Sequence, residues 1–60
     1  MERHERPSER ALILVVEDDP GTRDSLVELL AARFDVLGAS DGQSGLVLAR
    51  ERHPDLVLLD

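Results

Sequence analysis

The sequence predicts an α/β fold, a doubly wound parallel sheet running β-α-β-α-β, on three observations. Leu12-Ile13-Leu14-Val15-Val16 and Leu56-Val57-Leu58-Leu59 are short, purely aliphatic segments, as expected of strands buried on both faces. Helix-start signals, Asp19-Pro20 and Ser40-Asp41-Gly42, open the stretches that follow the first and second strands, and Pro54 closes the second helical stretch. Strands that alternate with helices become parallel neighbours joined by crossovers.

The elements follow in order. Residues 1–10 (MERHERPSER) are charged and lack apolar periodicity, so they read as a flexible lead-in, and the ordered domain is expected to span 11–60. The first strand covers 12–16. Asp19 then offers an N-cap oxygen, and Pro20 suits the first helical position, so a helix is expected over about 20–33. Its apolar stripe is read as Leu26, Leu29 and Leu30; Asp24 and Glu28 are placed toward the positive end of the helix dipole and Arg33 near the negative end. Phe34–Ala39 is a weaker second strand, closed by the turn at Ser40-Asp41-Gly42. Asp41 caps a second helix over about 43–53, with the stripe Leu46, Ala49 and His53, and Pro54 ends it. The third strand is 56–59, preceded by Asp55, read as a solvated residue before the strand, and followed by Asp60.

Strand order can be 1-2-3, with both helices on one face, or 2-1-3, with one on each. The first and third strands are apolar at every position and want cover on both faces, whereas the second carries Asp35 and Gly38 and suits an edge. Order 2-1-3 satisfies both. It places the carboxyl ends of the first and third strands side by side, at the switch point where open α/β sheets bind ligands.

Composition narrows what can be bound there. The 60-residue chain has no cysteine, which removes disulfides, thiolate metal sites and a cysteine nucleophile, and its formal net charge is −6. All seven cations are arginines, three of them interleaved with acids in the neutral lead-in, so the excess negative charge lies in 11–60. That balance disfavours direct nucleic-acid contact by this segment. No apolar run approaches the roughly 20 residues of a membrane span, and the sequence reads as that of a soluble, cytoplasmic protein without membrane association.

Acids gather at the switch point. Glu17-Asp18-Asp19 follows the first strand and Asp60 follows the third, on neighbours about 4.8 Å apart. Taken alone, Glu17-Asp18-Asp19 before Pro20 is also a helix cap with acids that suit the dipole, and Asp60 a turn residue. Together they repel one another unless one is protonated or a cation intervenes. All-oxygen donors select Mg²⁺ or a similar hard ion over zinc. His4 and His53 form no ligand motif, and Thr22 and Ser25 read as ordinary helix residues.

Ile13-Leu14-Val15-Val16-Glu17-Asp18-Asp19-Pro20, the leucine-bearing helix, Ala39-Ser40-Asp41-Gly42 and Pro54-Asp55-Leu56-Val57-Leu58-Leu59-Asp60 together resemble the front half of a response-regulator receiver domain. The resemblance covers about residues 11–60. It implies a flavodoxin-like fold with its C-terminal half missing, and a role in a two-component phosphorelay as a signalling domain rather than an enzyme. By position, Glu17 and Asp18 match the acidic pair that binds Mg²⁺ with Asp60, and Asp60 matches the aspartate that becomes a 4-aspartylphosphate. Asp19 falls one place beyond the pair and caps the helix. The implied partner is a sensor histidine kinase or phosphotransfer protein, and dimerisation would belong to the missing half.

Departures accompany the match. The family's switch threonine or serine, its lysine and a metal-binding backbone carbonyl all fall beyond Asp60, Glu17 replaces the commoner aspartate, and Gly45 stands where alanine is usual, at roughly 1 kcal/mol of helix propensity. A 60-residue chain buries only roughly 60% of its unfolded surface, so this segment alone is expected to be inactive and poorly folded, with the third strand an open edge. Two rival readings are a small Mg-dependent aspartyl-phosphate phosphohydrolase, which would need a second acid two residues after Asp60, and a nucleotide- or flavin-binding α/β domain, whose first turn would offer glycines and hydroxyls.

Overall fold

The computed structural model describes residues 10–60. The reading of His4 and of the lead-in before Arg10 lies outside them. Five elements follow one another: β1 (Leu12–Val16), α1 (Pro20–Leu30), β2 (Asp35–Ala39), α2 (Gly42–Arg52) and β3 (Leu56–Leu59). The sheet is parallel throughout, in the order β2-β1-β3. Val16 of β1 stands opposite both Ala39 of β2 and Leu59 of β3, so all three strands end at one level.

Every residue of β1 is buried, and its even-numbered side chains Leu14 and Val16 pack with Ala39, Leu37, Leu48 and Ala49. The helices cover opposite faces. Gly38 lies beneath Arg23 and Val27 of α1, whereas the next residue, Ala39, adjoins Gly45 of α2, and successive residues of a strand face opposite ways. β3 takes part only through its ladder with β1, and all four of its aliphatic side chains are exposed, up to 76% at Leu59. That matches the open edge expected there.

The helix faces differ from the sequence reading. In α1 the half-buried positions are Arg23, Leu26, Val27 and Leu30, at the spacing i, i+3, i+4, i+7, while Leu29 is 73% exposed. In α2 the inward residues are Gly45, Leu48 and Ala49; Leu46 and His53 are exposed. Gly45 sets that rotation. A Cβ there would lie 2.8 Å from Val16 Cγ2, so the absent side chain is what lets the helix meet β1. The residue that weakens α2 as a helix is thus one that faces the sheet, over Val16 and Ala39.

Boundaries shift for local reasons. α1 stops at Leu30 instead of 33, because Ala31–Arg33 form a turn in which the amides of Arg33 and Phe34 both donate to the Leu30 carbonyl. Asp24 and Glu28 lie beyond the first turn, which begins at Pro20, and Arg33 lies outside the shortened helix, so none of them complements the α1 dipole as expected. Arg10 serves that end instead, its guanidinium donating to the carbonyls of Ala31 at 3.0 Å and Arg33 at 3.1 Å. α2 starts at Gly42, and His53 forms its left-handed cap at φ 51°, a region in which histidine is among the enriched non-glycine residues. Asp55 is no bystander: its carboxylate accepts from the Leu12 N–H and its own N–H donates to the Leu12 carbonyl, both at 2.7 Å, pinning the start of β3 to the start of β1.

The glycine contact yields a test with a definite sign. Helix propensity alone makes Gly45→Ala stabilising by roughly 1 kcal/mol. Crowding the stiff, buried Val16 costs about 1–3 kcal/mol. Chemical denaturation of the intact protein is therefore expected to show Gly45→Ala as destabilised, by up to about 2 kcal/mol after the propensity gain is subtracted.

Candidate functional site

The backbone brings the sequence-selected acids to one edge. Because Val16 pairs with Leu59, the next residues along the two strands are Glu17 and Asp60. The Asp60 N–H donates to the Val16 carbonyl at 3.2 Å, and the Glu17 N–H to the Ala39 carbonyl at 3.0 Å, extending both ladders by one step. Glu17 is buried, with 5% of its surface exposed, and Asp18 and Asp60 are exposed beside it.

Glu17 records the crowding. A hydrogen bond with the Asp60 side chain, foremost, and then the Asp18 side chain, burial and the Asp60 charge hold its carboxyl above the ordinary 4.5; the Asp19 N–H, donating to Glu17 Oε2 at 3.2 Å, pulls the other way. The acidic triplet therefore divides its labour. Asp19 is the N-cap of α1, accepting from the Thr22 N–H at 2.7 Å, and that amide, with the Thr22 hydroxyl, holds its carboxyl below the ordinary 3.8. Asp41 caps α2 in the same manner through the Ser44 N–H at 2.7 Å and is likewise lowered. Glu17 is left between Asp18 and Asp60.

Among the described residues no three acid or histidine side chains stand as a ready-made ion site. The chemistry of the donors nonetheless suits a hard divalent cation, since every side-chain donor is an oxygen and the repulsion centred on Glu17 is what such a cation relieves. His53 ends α2 at the opposite edge of the sheet. No helix of the described residues is long and apolar enough to cross a membrane. One residue at this site was not singled out from sequence: Arg23, one turn into α1, donates from Nη1 to the Glu17 carbonyl at 2.8 Å. Its only signal in the chain is a cation six residues after Glu17, on the inward face of the helix.

Because the folded state holds the Glu17 proton more tightly than the unfolded chain, its contribution to stability is present below pH 4.5 and is lost as pH rises through the raised folded value. Glu17→Gln is expected to raise the melting temperature of metal-free protein at pH 7 and to flatten its pH dependence above 4.5. Thermal melts across that range measure both effects.

Comparison with known proteins supplies the relatives. The chain is 46% identical over 52 residues to the DNA-binding response regulator MtrA of Mycolicibacterium smegmatis, a match covering 85% of this chain and 23% of that protein. It is 43% identical over 49 residues to the DNA-binding dual master transcriptional regulator RpaA of Synechocystis, covering 80% of the chain and 20% of the relative. It is 42% identical over 55 residues to the nitrate/nitrite response regulator protein NarL of Escherichia coli, covering 87% and 26%. No family model and no solved structure matches. The chain thus spans about a quarter of the length of these relatives. With its parallel β2-β1-β3 sheet and acids at the carboxyl edge, the chain is homologous over 80–87% of its length to part of larger response regulators.

Proposed function

We propose that residues 11–60 are the N-terminal half of a receiver domain that accepts a phosphoryl group on Asp60 from a sensor histidine kinase or phosphotransfer protein. The placement of Glu17 and Asp60 side by side, one step past the Val16–Leu59 pair, carries this reading, because it gathers acids from distant parts of the chain at one sheet edge.

The chemistry is a phosphoryl transfer. A carboxylate oxygen of Asp60 attacks phosphorus in line, the P–O bond forms as the P–N bond to the donor imidazole breaks, and the imidazole leaves with the electron pair and takes a proton. Glu17, Asp18 and Asp60 would hold Mg²⁺, which when bound offsets their charge and that of the phosphoryl oxygens. The β1–β3 ladder fixes where Asp60 stands, and Asp19 keeps the start of α1 capped beside it. Such a domain passes on a signal in the cytoplasm and is not itself an enzyme. Two of the relatives are named DNA-binding; in a protein built like them, the negative charge of this segment favours DNA contact by another part of the protein.

The experiment treats the intact protein with Mg²⁺ and a small acyl phosphate. One base-labile phosphate per chain is expected, absent in Asp60→Asn and reduced at least about tenfold in Asp18→Ala, in line with removal of a metal ligand. Labelling that persists in Asp60→Asn would move the acceptor elsewhere.

A further inference from the structure

β1 leaves one backbone group at the site that the sheet does not serve. The Glu17 N–H continues the ladder to Ala39, and in a parallel ladder the Glu17 carbonyl would next accept from the continuation of β2. That continuation turns away, since Asp41 already caps α2. The donor comes from a helix instead: Arg23 Nη1 reaches the Glu17 carbonyl at 2.8 Å in a half-buried setting.

The route of the side chain is defined. A Cβ built on Gly38 would lie 3.4 Å from Arg23 Cδ and 3.5 Å from its Cγ, so the stem passes over the end of β2 before the guanidinium turns to β1. The carbonyl it holds belongs to the peptide joining Glu17 to Asp18. Rotation of that peptide changes ψ of the first acid and φ of the second, and so redirects the Asp18 side chain relative to Asp60. The same cation lies close enough to Asp19 to help lower its carboxyl.

We infer that Arg23 is a positioning residue for the acidic site: by fixing the Glu17–Asp18 peptide from α1, it sets the geometry in which Glu17 and Asp18 meet a divalent cation beside Asp60. The inference rests on the proposed Mg²⁺ role of these acids. Groups that orient the ligands of a metal commonly change its affinity by 10-fold or more when removed, although they never touch it.

The test measures Mg²⁺ affinity of the intact protein by calorimetry, with melting temperature in metal-free buffer as a separate readout. Arg23→Met keeps the stem and removes the donors; it is expected to weaken Mg²⁺ about tenfold. Arg23→Lys, which still offers a cationic donor, is expected to recover most of that loss. A lower melting temperature with unchanged Mg²⁺ affinity in Arg23→Met would overturn the inference and leave the Mg²⁺ role of the acids standing. Wild-type protein that binds no Mg²⁺ would overturn both. Should Arg23→Met fail to fold, Arg23→Gln carries the same expectation, and failure of both to fold while Arg23→Lys folds would assign Arg23 a structural role only.

Discussion

Complete burial of β1 between two parallel neighbours is the constraint on which the acidic edge depends. A strand of five aliphatic residues can satisfy its backbone and both faces only in the middle of a sheet covered on both sides, and that central place makes β3 its neighbour. Parallel direction then brings the ends together. Glu17 and Asp60, 43 positions apart, become adjacent because Val16 pairs with Leu59, and Asp55 pins the other end of the same ladder to Leu12. Shift the register by one residue and the carboxyls part.

That convergence opposes folding. Burying Glu17 against two further acids raises its proton affinity, which is free energy withheld from stability at neutral pH. The neighbouring acids do the reverse: Asp19 and Asp41 are stabilised as anions by the amides they cap. Two kinds of carboxylate thus stand within a few residues, one set holding helix starts and the other held in mutual conflict. Conflict of this kind is relieved by a cation or by a proton.

Strands, caps and strand order were legible because their causes are local or follow from burial alone: β1 and β3 are aliphatic throughout, and Asp19 and Asp41 each precede a helix by one position. The pairing of the Glu17-Asp18 turn with Asp60 followed from that order. Helix faces were not legible. Leucines occur around both sides of α1, and in α2 the decisive contact is made by a missing side chain, Gly45 against Val16, which hydrophobic periodicity cannot register. The roles of Arg10, Arg23 and Asp55 were not legible for another reason: each acts by a side-chain hydrogen bond to backbone outside its own element, and a charge in a string of letters carries no mark of its partner.

The central claim is that Glu17 and Asp60 share one site through the β1–β3 pairing, and a double-mutant cycle in metal-free protein measures it most directly. Glu17→Gln and Asp60→Asn should each stabilise the fold at neutral pH, and together should stabilise it by less than the sum, since either change alone already removes the repulsion between them. Additive effects would contradict the account, showing that the two carboxyls do not interact and that the acidic edge is only a set of solvated turns.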